Sequence, residues 1–316
     1  MPSVHPSVTA IVVTYNRKEL LQECLNAILS QTRSVDRIIL IDNASTDGTF
    51  ETLQENGFFA HEQLDYRRMD SNTGGAGGFC EGLRIARESE TDWLWLMDDD
   101  TIPAPEALQK LLEAKEAIRE EVSFLCSSVY GPDGEAMNVP NLSETTDENG
   151  YRNWYHQLKN KAVKVADATF VSILINRKAL DRCGLPCKDF FIWGDDTEYT
   201  MRIIANYGPA YLIGDSEVIH KRFNARSLSI KEETDEKRIG MYFYFFRNIL
   251  IIRKLYGMKT FSRFLLGAIR TSLTSLPKEH SFKKFLTIHK GILHYFKERS
   301  HFENYINEQL KGESHV

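Results

Sequence analysis

The chain has 316 residues, 42% hydrophobic and 26% charged, with a net charge of -5. That balance suits a globular protein of one large domain, or one domain with an extension, and argues against a general nucleic-acid binder. No apolar stretch reaches the ~18 uninterrupted residues expected of a membrane-spanning helix.

Val8–Val13 is an apolar run that predicts a buried first strand. Asn16 and Glu19 have capping-box spacing, so a helix is expected from there to about Leu29, with Leu20, Leu21, Cys24, Leu25 and Ile28 as its apolar stripe. Arg37–Ile41 predicts a second strand, followed by the polar loop Asp42–Gly48 and a helix starting near Thr49. Two strand-helix units in series predict right-handed crossovers and a parallel sheet, whose ligands bind beyond the C-terminal strand ends. The run Asn72–Phe79 packs four glycines into five residues ahead of a helix ending near Arg87. Such a loop allows close backbone approach to a phosphate, or is simply a tight turn.

Trp93–Met97 is unbroken by polar residues, as in a strand buried on both faces, and it leads into Asp98, Asp99 and Asp100. In an extended segment Asp98 and Asp100 share one side and Asp99 takes the other. Carboxylates crowded at a strand end repel one another, which a divalent cation relieves; the alternative is an acidic turn capping the next helix. A charged helix is expected over 105–121, a strand over 124–129, a turn at Pro132-Asp133-Gly134, and a polar, irregular, mobile loop over 138–153. A strand over 170–175 and a helix to about Arg182 follow, then a Gly184-Leu185-Pro186 break. Phe190–Gly194 then leads into Asp195 and Asp196, ahead of a helix expected over 198–206. That pair reads as a general base with its neighbour, or as acids complementing a helix dipole. Tyr211–Ile213 and Glu217–His220 are short extended segments, and His220 is either a metal ligand or a structural histidine.

From Arg247 to Arg299 basic residues outnumber acidic ones, with helices expected over 249–254, 261–269 and 282–296. Apolar positions such as Phe261, Phe264, Leu265, Phe282, Leu286 and Phe296 beside lysines and arginines suit an anionic lipid surface, or ordinary helix packing. Met241–Phe246 suits a core or a subunit contact, so an oligomer is possible. The five cysteines are scattered, form no zinc pattern, and read as reduced thiols of a cytosolic protein. Met1–His5 shows no secretory leader pattern.

Taken together, Val12–Arg17, Ile41–Thr49, Asn72–Phe79, the Asp98–Asp100 triplet, Trp193–Glu198 and His220 resemble the motifs of family 2 glycosyltransferases with the GT-A fold. The likeness spans residues 8 to about 222 and is closer to bacterial galactofuranosyl- and rhamnosyltransferases than to cellulose or chitin synthases, whose Gln-x-x-Arg-Trp signature is absent. It implies an α/β fold: a Rossmann-like, mostly parallel sheet flanked by helices, with a helical C-terminal extension. The implied division is a catalytic domain over 1–225, with a nucleotide-sugar half (1–100) and an acceptor half (101–225), and a basic helical extension over 226–316. By the same resemblance Thr14, Arg17, Asp42, Asn72, Gly74, Gly75, Gly78 and Asp99 would bind the donor. Asp98, Asp100 and His220 would hold Mn2+ or Mg2+. Trp193 and Asp195 would bind the acceptor, and Asp196 would be the catalytic base, with Asp195 as the other candidate.

The implied reaction is a single inverting displacement, with a bound cation offsetting the charge on a leaving nucleoside diphosphate. The expected donor is UDP-galactofuranose, with dTDP-rhamnose next, and the expected acceptor a lipid-linked surface glycan at the inner face of the cell membrane. Nucleic acid is not expected as a partner. Readings of other kinds are a sugar nucleotidyltransferase and a non-catalytic nucleotide-sugar binder. The first would carry its glycine loop near the first strand, and the second would not need an intact Asp195–Asp196 pair.

Overall fold

A computed structural model of the protein describes residues 5–222, 229–274 and 279–311. The domain boundary expected at 225/226 lies outside the described residues, as do the first four residues of the segment read for a leader. The first half consists of β1 (Val8–Thr14), α1 (Lys18–Leu29), β2 (Arg37–Asp42), α2 (Thr49–Glu55), β3 (Leu64–Arg68), α3 (Gly74–Arg87) and β4 (Trp93–Asp98). The second half adds β5 (Thr101–Pro103), α4 (Ala107–Ala117), β6 (Phe124–Tyr130), β7 (Ala162–Val165), β8 (Ile173–Asn176), α5 (Arg177–Cys183), α6 (Asp195–Asn206) and β9 (Ala210–His220). Then come α7 (Glu236–Tyr256), α8 (Met258–Thr274) and α9 (Ser281–Lys311).

One sheet runs β3-β2-β1-β4-β8-β6-β9-β5, with β7 paired to β9. β3, β2, β1 and β4 are mutually parallel, as the repeated strand-helix units require. β8 then enters antiparallel between β4 and β6. The central strands alternate between two cores. Val8, Ala10 and Val12 face the α1 side with Trp93, Trp95 and Met97, whereas Ile11, Val13, Leu94 and Leu96 face the α3 side. α3 lies close on β1 because Gly78 and Gly82 are one turn apart: a Cβ there would come within 2.5 Å of Val13 Cγ1 and 2.4 Å of Ile11 Cγ2.

Several local expectations are corrected. Asn16 does not cap α1. It has φ +52 and its side-chain oxygen accepts from Thr46 N at 2.7 Å, while Asp47 accepts from the first helical amide, Lys18 N, at 3.2 Å. The glycine run is not a loop: the helix already starts at Gly74. α6 starts at Asp195, three residues before the expected Glu198. The two short segments after Tyr211 are one strand, β9, whose pairing with β6 shifts register at Ser127/Ser128. Within 138–153, Thr146 bridges Arg152 and Asp147 accepts from Asn149 N and Tyr151 N, so part of the expected irregular loop is a tight hairpin. No helix among the described residues is long and apolar enough to cross a membrane.

Candidate active site

Parallel pairing aligns Val13 with Asp98 and Thr14 with Asp42, so the polar ends of β1, β2 and β4 meet at one sheet edge. Asp99, 3% exposed, turns back into that edge. It accepts from Thr14 Oγ1 at 2.7 Å, Tyr15 N at 3.3 Å and Arg17 Nη1 at 3.2 Å. The same Arg17 nitrogen donates to Asp100 at 2.5 Å. Asp42 is fully buried, and both its oxygens are engaged: one accepts from Ser45 N at 2.7 Å, the other from Tyr66 OH at 2.5 Å. Asn43, which the sequence reading passed over, joins two loops. Its oxygen accepts from Thr73 N at 2.9 Å and its amide donates to Gly74 O at 2.8 Å, beside Asn72, which accepts from Gly74 N. Of the three glycines expected at the donor, Gly75 faces open space, whereas Gly78 is packed on Val13 and Gly74 on the backbone of Phe191.

Asp98, Asp100 and His220 converge, each with one ligand atom within 4.8 Å of the others. They come from the end of β4, the turn after it and the end of β9; the turn is closed by pairing of Thr101 with His220. His220 Nδ1 faces Asn138 Oδ1 at 2.9 Å, leaving Nε2 directed at Asp100 Oδ1, 3.0 Å away. That carboxylate oxygen is buried and takes part in no aligned hydrogen bond among the described residues. An orphaned oxygen, a second carboxylate and an imidazole oriented from behind fit a divalent cation. A cation bound there would offset charge gathering on a leaving diphosphate. Burial pushes the Asp98 carboxyl well up, reinforced by Asp100 and Asp99. Burial also lifts Asp99, to about 6, against the pull of Arg17. For Asp100 burial acts upward too, but His220 and Arg17 outweigh it and hold the group below its ordinary value.

The second acidic set stands at the start of α6. The preceding backbone is strained: Phe191, Trp193 and Gly194 have φ of +66, +62 and +102. Such conformations cost about 1–3 kcal/mol each at non-glycine residues and persist only when neighbours enforce them. Here the neighbours are visible. Ala76 N donates to Phe191 O at 3.1 Å, and the missing Cβ of Gly74 leaves room for that carbonyl. From α7, the fully buried Asn248 amide donates to the carbonyls of Phe190, Ile192 and Trp193 at 3.0, 3.0 and 2.7 Å. Arg247 holds Asp189 O at 2.7 Å and reaches Glu298 on α9 at 3.0 Å.

This loop delivers Asp195, 7% exposed, and the half-buried Asp196. Burial, then the Asp196 charge, raises Asp195 well above the carboxylate range. Burial lifts Asp196 to about 6, opposed by the Thr197 amide at 2.6 Å and hydroxyl at 3.3 Å. The turn before Asp195 is tied through Ala76 N to α3, α3 packs by Gly78 on Val13, and Val13 is the strand neighbour of Asp98, so the two acidic sets adjoin; Asp195 accordingly adds to the upward pressure on Asp98. Trp193 lies against Tyr242 of α7, ring centroids 5.1 Å apart. Glu198, from the same motif, serves the fold: it forms a fully buried pair with Arg202 and accepts from Tyr256 OH at 2.8 Å. Asn138 and Asn248 had no signal in the sequence, because each acts on a residue distant in the chain, and Asn43 stood in the 41–49 motif without a role of its own.

A parallel sheet edge with a metal-fitting carboxylate-histidine group, facing an acidic pair on a strained turn, defines a glycosyltransferase of the GT-A type. The chain belongs to glycosyl transferase family 2, whose family model matches residues 9–184. Among curated relatives, galactofuranosyltransferase GlfT1 of Mycolicibacterium smegmatis is 31% identical over 202 residues, 62% of this chain and 65% of that protein. GlfT1 of Mycobacterium tuberculosis H37Rv is 28% identical over 226 residues, 68% of this chain and 70% of the relative. Among solved structures, GalNAc-T7 with UDP, GalNAc and Mn2+ superposes with TM-score 0.55 at 15% identity, over 76% of this chain and 50% of that one. Staphylococcus aureus TarS 1–349 with UDP gives TM-score 0.53 at 17% identity, over 78% of this chain and 65% of that one. The chain thus spans less than two thirds of the M. smegmatis relative and of both solved chains.

Proposed function

We propose that the protein is an inverting, divalent-metal-dependent transferase. It would move galactofuranose from UDP-galactofuranose to a hydroxyl of a lipid-linked surface glycan, at the inner face of the cell membrane. The observation that carries this reading is the adjoining of two acidic sets: Asp98, Asp100 and His220 on one side, Asp195 and Asp196 on the other. Asp98, Asp100 and His220 would hold Mn2+ or Mg2+, which would offset the charge of the leaving diphosphate. Arg17, Asn72 and Gly75 border the donor, and Thr14, itself buried, fixes Asp99 behind them. Asp42, Asp99, Gly74 and Gly78 shape that border from within, consistent with their buried or packed positions. Asp196, which ionises first, takes the proton of the acceptor hydroxyl as it attacks the anomeric carbon, and the sugar–phosphate bond breaks with its electrons leaving on the diphosphate. Asp195 keeps its proton to higher pH and positions the hydroxyl, with Trp193 beneath the acceptor. The choice of galactofuranose draws support from the GlfT1 relatives.

Membrane contact would come from the outer face of α9, where Phe282 is 71%, Leu286 50%, Leu293 68% and Phe296 52% exposed. Lys290 and Lys297 stand exposed among them. The Phe261 and Phe264 row of α8 instead packs on Tyr295 and Phe246.

A donor panel tests the proposal: purified protein, Mn2+ or Mg2+, a lipid-linked acceptor, and UDP-galactofuranose, UDP-galactopyranose, UDP-glucose or dTDP-rhamnose, read by product mass. Turnover with UDP-galactofuranose that stops on adding EDTA and returns with metal is expected. Turnover with dTDP-rhamnose alone would move the donor to the rhamnosyl branch, and turnover indifferent to chelation would sink the metal assignment.

A further inference from the structure

A cavity of about 400 Å³ lies between α7, α8 and the segment around Lys231, away from both acidic sets. Its walls are aromatic, from Phe245, Phe246 and Phe264, and among the described residues its polar groups are all cationic or neutral: Lys231, Arg253 and Arg263 line it, and no described carboxylate does. Among the described residues none of these three cations is in an ion pair. Arg253 Nε is buried without a hydrogen-bond partner, and the Arg253 guanidinium stands 5.1 Å from the Phe264 ring centroid. Burial, then the like charge of Arg263, holds Arg253 below its ordinary value. Arg253 is thus a half-buried cation with an unused donor against an aromatic wall, and Arg263 stands exposed at the rim of the same cavity, an arrangement that an anion entering from solvent would satisfy. Rings connect the cavity to the catalytic loop: Trp193 to Tyr242 at 5.1 Å, Tyr242 to Phe245 at 6.0 Å, and Phe245 to Phe264 at 6.2 Å.

We propose that this cavity binds a lipid phosphate, its chain on the aromatic wall and its phosphate between Arg253 and Arg263. The ligand is the anchor of the acceptor, a role that rests on the glycosyltransferase reading above; the binding itself does not. Membrane phospholipid shares the chemistry, so the test separates the two sources.

Binding to the full-length protein is measured with monomeric farnesyl phosphate, with uncharged farnesol, and with phosphatidylglycerol vesicles. The variants are Arg253→Gln/Arg263→Gln and Gly267→Trp. Gly267 lines the cavity and has open space where a Cβ would stand, so the larger side chain fills the hollow without disturbing the helix. Farnesyl phosphate should bind the parent more tightly than farnesol, and each variant should weaken it about tenfold or more, from loss of charge-assisted contacts or of the space itself. UDP binding should stay at the parental level in both variants, so a failure of the donor reading registers separately. A variant-sensitive response to vesicles but not to farnesyl phosphate keeps the cavity as a lipid-phosphate site and assigns it to the bilayer. Parent and variants alike with both probes would overturn the proposal.

Discussion

Gly74 and Gly75 are neighbours at the start of α3, yet they meet different surroundings. Gly74 has φ +72, and a Cβ on it would stand 2.0 Å from Phe191 O; Gly75 has nothing within 4 Å. Gly74→Ala should therefore displace the catalytic loop and lower both Tm and kcat. Gly75→Ala should fold at least as stably as the parent, because alanine favours a helix by up to about 1 kcal/mol over glycine. If Gly75 borders the donor diphosphate, its variant raises donor KM while leaving Tm intact; an unchanged KM would remove Gly75 from the donor site. Asp196 carries a pH prediction. Its folded-state pKa of about 6 lies above the unfolded value, so the carboxyl gains its charge, and transfer its base, as pH rises through about 6. By linkage the same group costs stability over that rise, since the folded state holds the proton longer. Asp196→Asn should thus melt no lower than the parent at pH 7.5 while losing turnover. A pH-rate profile flat between 5 and 7 would count against Asp196 as base. The aspartates and the glycine run stood out in the sequence because each signature is local, whereas His220, a lone histidine, was favoured as a ligand only through the family resemblance. Asn138, which orients His220 from 82 residues away, was not; nothing around it marks it as more than a loop residue.

At the scale of elements, α6 is where fold and site share residues. The Arg202 guanidinium donates to both Glu198 oxygens at 3.0 Å and to Cys183 O at 2.7 Å, all within the core. Arg202→Ala would leave Glu198 buried and uncompensated, at a cost of about 3–5 kcal/mol measurable by denaturant unfolding; a loss under about 1 kcal/mol would contradict the structural role given to the pair. α7 acts on the site through the backbone of the 189–194 turn. Asn248→Ala unties the carbonyls of Phe190, Ile192 and Trp193, and a shift of the loop of even about 1 Å would lower kcat about a hundredfold. Donor KM should move little, because the donor edge is built on β1, β2 and β4; equal losses in kcat and donor affinity would mean the whole site had collapsed. β1, β2 and β4 could be read from sequence because buried parallel strands are continuous apolar runs. β3 could not: Leu64–Arg68 is an edge strand with a partly exposed, charged sequence. α6 was placed late because Asp195 and Asp196 were read as acids just ahead of the helix, when they are its first turn, where the helix amides favour negative charge.

Across the whole molecule, the strand-helix alternation made the parallel half readable in advance, whereas the approach of α7 to the 189–194 loop depends on packing between parts of the chain about 55 residues apart. The C-terminal helices were read as an extension, and the structure shows α7 and α9 bracing the turn before Asp195 through Asn248, Arg247 and Glu298. The account rests on a division of labour, with one acidic set serving the leaving diphosphate and the other the acceptor. The most direct test measures Mn2+-dependent UDP binding and sugar transfer in parallel for Asp100→Asn and Asp196→Asn. The account predicts that Asp100→Asn loses metal-dependent UDP binding and, with it, turnover, while Asp196→Asn binds UDP as the parent does and transfers nothing. UDP binding lost in Asp196→Asn but retained in Asp100→Asn would contradict it.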